Sequence, residues 1–128
     1  MNRALADTSL FIARESGRTL AQIQLPEELA ISVVTIGELR AGVLAAADIR
    51  TRDLRLATLA EALAFEAVPI DQSVAEAWAL LRLLLRESGQ RMSVNDSWIA
   101  ATAMTLGVPV VTQDDDYIQV GGLSVIRV

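Results

Sequence analysis

Ser93-Val94-Asn95-Asp96-Ser97-Trp98-Ile99-Ala100-Ala101, continued through Gly107 into Val108-Pro109-Val110-Val111-Thr112, decides how the chain is read. A helix begins near Ser93 to Asn95 with Asp96 in its first turn. Ile99, Ala103 and Leu106 follow at helical spacing, so Asp96 shares their buried face. A carboxylate there is costly without compensation. Gly107 suits a helix C-terminus, and Pro109 prevents continuation into the apolar strand 108–112. Thr112 and the acids Asp114-Asp115-Asp116 come next. One helix start and the next strand end are therefore both acidic.

Outward from this unit, Arg3 to Asp7 reads as a short buried strand ending in an acid. Leu10 to Ser16 reads as a helix closed by Gly17, and Thr19 to Leu25 as a second helical turn stopped by Pro26. Leu29 to Val34 alternates too little to be a half-exposed strand. Thr35-Ile36-Gly37-Glu38 opens a helix to about Ala47. Asp48 to Ala64 is a longer helix with Leu54, Ala57 and Leu63 among its apolar positions. A short strand, 67–70, precedes a helix capped by Asp71, striped by Val74, Ala77, Trp78, Leu81 and Leu85, and ended by Gly89. Leu123 to Ile126 is the last strand. Short strands alternating with helices predict one α/β domain spanning residues 1–128, with helices on both faces of a parallel sheet of four to five strands.

Composition removes whole classes of chemistry. The 128 residues include no Cys and no His, and all eleven basic residues are Arg. Thiol, imidazole and Lys mechanisms are excluded, as are disulfides and the usual zinc sites. No apolar run reaches membrane-span length and the N-terminus lacks a signal-peptide core, so a cytoplasmic protein is expected. The net charge of −5 argues against a simple basic nucleic-acid binder, yet a metal site also gathers negative charge.

In parallel sheets, sites form beyond the carboxyl ends of the strands. Asp7, Glu38 and Asp114 lie at or just after strand ends, and Asp96 opens the helix leading into one of those strands. Each has a structural alternative. Thr35-x-x-Glu38 and Ser93-x-x-Asp96 fit capping boxes, Asp7 a turn, and 114–116 a solvated loop. Thr112 is either a strand end or a hydroxyl that orients a carboxylate. Trp78 and Trp98 read as core. Arg50, Arg52 and Arg55, with Arg82, Arg86 and Arg91, read as a solvated face, with phosphate contact as the alternative. Four clustered carboxylates without His or Cys suit Mg²⁺ or Mn²⁺, and phosphodiester hydrolysis follows from that chemistry.

Asp7-Thr8-Ser9, Thr35-x-Gly37-Glu38-Leu39, Asn95-Asp96-x-x-Ile99-Ala100-Ala101 and Thr112-x-Asp114-x-Asp116-Tyr117 together resemble the ordered motifs of PIN-domain ribonucleases. The likeness is nearest to the VapC-type toxins of bacterial toxin–antitoxin pairs and spans nearly the whole chain. It implies a three-layer α/β/α fold and Mg²⁺- or Mn²⁺-dependent cleavage of RNA. Asp7, Glu38, Asp96 and Asp114 would be the catalytic acids, and Asp7, Asp96 and Asp114 metal ligands. Asp116 would serve a second metal, with Thr8, Asn95 and Thr112 in support. Tyr117 replaces a frequent Phe and is expected to matter little.

The resemblance further implies a homodimer and a small VapB-type antitoxin, giving a heterotetramer or larger assembly. Phe11, Leu20, Ile23, Val43 and Leu44 are the expected exposed apolar contacts for that partner. Three alternatives compete. A receiver-like signalling domain lacks its Lys here, and a haloacid-dehalogenase-type phosphatase lacks its second acid because Ser9 stands in that place. A degenerate PIN-like binding module predicts gaps in the acidic set, and the sequence has none.

Overall fold

Leu5, Ile31, Val110 and Val111 are fully buried, because a parallel sheet is covered on both faces and its strands need no polar side. The computed structural model describes residues 2–20, 26–115, 117 and 120–128. Among these, five strands form one parallel sheet: β1 (Arg3–Ala6), β2 (Glu28–Ser32), β3 (Glu66–Val68), β4 (Val110–Thr112) and β5 (Val125–Arg127). The helices are α1 (Thr8–Glu15), α2 (Val33–Leu44), α3 (Ile49–Ala62), α4 (Gln72–Ser88) and α5 (Val94–Leu106).

The pleat sorts side chains into two cores. Ala4, Ala6, Ile31 and Val111 pack against Leu10, Phe11, Leu39, Val43, Leu59 and Ala62 of α1, α2 and α3. Leu5, Ala30 and Val110 pack on the other face against Leu81 and Leu85 of α4 and Ile99, Ala100 and Ala103 of α5. The result is the expected three-layer α/β/α arrangement. Strand order is β3-β2-β1-β4-β5, so the chain reverses direction across the sheet between β1 and β4. The crevice at that reversal is where open α/β sheets place their sites. No helix of the described residues is long and apolar enough to cross a membrane.

Where cap residues mark the ends, the helices match expectation. Asp71 accepts from the Val74 amide at the start of α4, and Gly89 ends it in the left-handed region at φ 69°. Ser93 accepts from the Asp96 amide at the start of α5, and Gly107 ends it at φ 67°.

The β2–α2 boundary differs. Val33 and Val34 are helical, because the Ser32 hydroxyl caps α2 by accepting from the Val34 amide at 3.0 Å. Glu38 is thus the sixth residue of α2, too far in for a Thr35–Glu38 capping box. Strands β3, β4 and β5 are each three residues long and shorter or shifted relative to the sequence pattern. Leu54 of α3 and Leu63, its C-cap, are exposed while Thr58, Leu59 and Ala62 face the core. Most of the helical turn expected over 19–25 lies outside the described residues.

The expected apolar contact surface is also corrected. Phe11 and Val43 are core residues, Phe11 packing edge-on against Phe65 with ring centroids 5.6 Å apart. Leu20 is half-buried, and Ile23 lies outside the described residues. Among the described residues of that set, Leu44 alone is open, at 74% exposure. Proximity to Asp7 and Glu38 in sequence put Phe11 and Val43 on helices whose apolar sides turn inward.

Candidate active site

Asp7 is the first residue beyond β1, and its amide donates to the Val111 carbonyl of β4 at 2.9 Å, which fixes it at the sheet reversal. Its side chain is 2% exposed. Oδ2 accepts from Thr112 Oγ1 at 2.9 Å and from the Ser9 amide at 3.3 Å, while Oδ1 accepts from the Tyr117 hydroxyl at 2.9 Å. Asp7 is therefore both the N-cap of α1 and a buried acid held by two hydroxyl groups.

Proton counting fixes the direction of the network, since each hydroxyl donates once. Thr112 spends its proton on Asp7 and accepts from the Asp114 amide at 2.9 Å. In the 3.1 Å Ser9–Thr112 contact, Ser9 must then donate, and Ser9 accepts from the Gln113 amide at 3.0 Å. The same logic orders the second network. Thr8 donates to Glu38 Oε1 at 2.7 Å, so Thr35 donates to Thr8 across 2.9 Å. Asn95 donates to Glu38 Oε2 at 3.2 Å. Glu38 of α2 is thereby tied to α1 and to α5, while Asp7 is tied to the segment after β4.

Asp7, Glu38, Asp96 and Asp114 line one open cleft of about 580 Å³, together with Thr8, Ser9 and Arg18. Four acids from separate parts of the chain meet there, as their placement at strand ends and helix starts suggested. Asp96 carries the electrostatic consequence: its pKa is pushed up from 3.8 to about 6. Burial is the main cause, followed by the charge of Asp7. Asp114 and Glu38 add to the rise, and a hydrogen bond with the Ser93 hydroxyl opposes it. Tyr117 is pushed upward by burial first and then by Asp7, so its hydroxyl stays a proton donor.

Among the described residues, no three carboxylates converge into a ready-formed metal site. The donor set nevertheless fits a hard divalent cation, since it is all oxygen and the chain has no softer ligand. Asp116 lies outside the described residues.

Arg18 is the site neighbour that sequence reasoning passed over, while Ser9 and Tyr117 stood in the motifs without a role in holding the acids. Arg18 follows Gly17, whose φ of 73° lets the Arg18 amide return to the Ala13 carbonyl at 2.8 Å and sets Arg18 at the cleft. Tyr117 matters more than a Phe would, because its hydroxyl reaches Asp7. Tyr117→Phe should lower stability by about 2 kcal/mol, the scale of a buried hydrogen bond to a charged acceptor. Thermal unfolding checks this, and an unchanged midpoint would mean the contact contributes nothing.

Comparison with known proteins agrees with this geometry. Residues 4–123 match the PIN domain family. The ribonuclease VapC5 of Mycobacterium tuberculosis is 48% identical over 122 residues, covering 95% of this chain and 90% of that protein. VapC4 of the same organism is 46% identical over 128 residues, covering 100% and 98%. A crystal structure of VapBC-5, a toxin–antitoxin system of that organism, aligns with a TM-score of 0.91 at 44% identity over 100% of both chains. The chain belongs to the PIN-domain family and is closely related to the VapC ribonuclease toxins of VapBC toxin–antitoxin systems.

Proposed function

We propose that the chain is a Mg²⁺- or Mn²⁺-dependent endoribonuclease and the toxin of a toxin–antitoxin pair. The observation that carries this reading is the meeting of Asp7, Glu38, Asp96 and Asp114 in one cleft at the sheet reversal. The ribonuclease names of VapC5 and VapC4 support RNA as the substrate.

Asp7, Asp96 and Asp114 would hold the cation, and Asp116 would add to a second site. A bound divalent ion supplies positive charge to a phosphoryl group and lowers the pKa of a water. The remaining work falls to the chain itself. Thr112 and Tyr117 clamp both oxygens of Asp7, so its orientation is set before any ligand arrives. Glu38, held between Thr8 and Asn95, presents a fixed carboxylate suited to orient a water and take its proton. Arg18 lies where charge on a phosphate would gather.

Protein freed of any partner should cleave single-stranded RNA with Mn²⁺ or Mg²⁺ and stop on chelation. Full cleavage in EDTA would overturn the metal mechanism.

By relation to VapBC-5, a toxin–antitoxin system, the partner is a small VapB-type antitoxin. A basic tail would suit the acidic cleft, and a homodimer of this chain is what the family resemblance implies. Co-expression with a neighbouring small open reading frame should relieve toxicity and give a co-purifying complex. If it does neither, the toxin reading fails while the nuclease can stand.

A further inference from the structure

Three arginines form a second pocket around the corner from the acidic cleft. Arg82 and Arg86 of α4, one helical turn apart, line a cavity of about 250 Å³ with Arg91 and Gln90 of the α4–α5 connection and Ser97 of α5. The ion pairs of the described residues use Arg3, Arg14 and Arg127, so no carboxylate among them pairs with these three guanidiniums. Gathering like charges in an acidic protein works against stability, and a phosphate would relieve it.

The pocket is also built rather than incidental. Trp78 and Trp98 stack at 4.4 Å with planes 4° apart, and the Arg82 guanidinium sits 5.0 Å over the Trp78 ring. Trp78 Nε1 donates to Ser97 Oγ at 3.0 Å, locking α4 to the first turns of α5. These contacts fix the Trp78 ring as a platform on which the exposed Arg82 guanidinium rests.

Position links the two sites. Asp96 lines the acidic cleft and Ser97, the next residue of α5, lines the arginine pocket. Consecutive residues turn about 100° around a helix, so the two sites lie on adjacent sides of the start of α5. A strand with one phosphate in the acidic cleft needs only to round this helix end to reach the arginines.

We propose that Arg82, Arg86 and Arg91 bind backbone phosphates of the RNA strand beside the one being cut. This rests on the ribonuclease reading, and it explains how a chain of net charge −5 retains a polyanion. Backbone contacts of this kind carry affinity without sequence information.

The test measures binding and cleavage separately. Fluorescence anisotropy of a labelled single-stranded RNA in EDTA compares wild type with Arg82→Gln/Arg86→Gln/Arg91→Gln. A second triple variant, Arg40→Gln/Arg50→Gln/Arg52→Gln, removes equal charge from exposed positions on α2 and α3. The pocket variant should bind at least about tenfold more weakly, with the slope of log K against log salt reduced by about 2. With Mn²⁺ its KM should rise while kcat holds. Single Arg86→Gln and Arg91→Gln variants should each show part of the loss, which keeps the test valid if the triple variant unfolds.

Unchanged affinity and slope in the pocket variant overturn the proposal even if wild type cuts RNA. Equal losses in both triple variants overturn it too, because charge alone would then suffice. So does wild type that fails to bind RNA, or a pocket that takes an acidic peptide and not RNA. If wild type binds through these arginines but cuts nothing with metal, the nuclease reading fails and the phosphate site stands.

Discussion

Asp7→Asn should lower metal-dependent RNA cleavage by about a thousandfold or more, equivalent to ~4 kcal/mol of transition-state stabilisation. The substitution keeps the shape of the side chain and removes its charge at the centre of the cleft. It also sets an amide NH₂ against one of two hydroxyl donors, Thr112 or Tyr117, which both point at Asp7. One donor then loses its acceptor in a buried place. Thr112→Val removes no charge, only the hydroxyl that orients Asp7 and accepts from the Asp114 amide, and should cost about 10- to 100-fold. Single-turnover rates at saturating Mn²⁺ compare the two. If Asp7→Asn lost no more than Thr112→Val, Asp7 would be a helix cap and not a ligand.

Asp96→Asn should make the metal-free protein more stable by about 1 to 2 kcal/mol at neutral pH. Asp96 is half-buried near three other carboxylates, and exposure screens part of that repulsion. Losing its favourable place in the first turn of α5 costs about 0.3 to 1 kcal/mol, so relief of burial and repulsion together wins by a small margin.

The pH dependence has a definite sign. The unfolded carboxyl titrates near 3.8 and the folded one near 6, so between these values the folded state binds more protons. Stability contributed by protonated Asp96 is present at the acid end and lost as pH rises through about 6. Wild type in EDTA should therefore fall in melting temperature across that window relative to Asp96→Asn. Parallel pH profiles for the two proteins would contradict the assigned environment.

Elements with local signals were legible in the sequence, and those set by tertiary contacts were not. Asp71 with Gly89 and Ser93 with Gly107 bound α4 and α5, because caps act through backbone groups a few residues away. Val33 and Val34 read as strand because they are β-branched. Sheet pairing ends at Ser32, whose hydroxyl starts a helix instead.

That shift bears on the site, since it removes Glu38 from capping and leaves it bonded to Thr8 and Asn95. For Asp7, cap and site are not alternatives, since one side chain caps α1 and faces the cleft; at the start of α5, Ser93 is the cap and Asp96, three residues on, faces the cleft. The Tyr117–Asp7 bond spans 110 positions, and no local pattern announces such a contact. Trp78 and Trp98 read as core because they recur among aliphatics. Each is half-buried, and they stack on one another beside the arginine pocket.

The central claim is that the clustered carboxylates are a metal site, and melting under a Mn²⁺ titration tests it without requiring the correct RNA. Wild type should gain stability with metal as RT ln(1 + [L]/Kd), about 2.7 kcal/mol at a hundredfold excess over Kd. Asp96→Asn should start higher and gain much less. Glu38→Gln keeps acceptor capacity toward Thr8 and should retain most of the wild-type response, because Glu38 is assigned to water and not to metal. If wild type and both variants melt at temperatures that do not change with Mn²⁺, the carboxylates cap helices and close turns, and the account of the site is wrong.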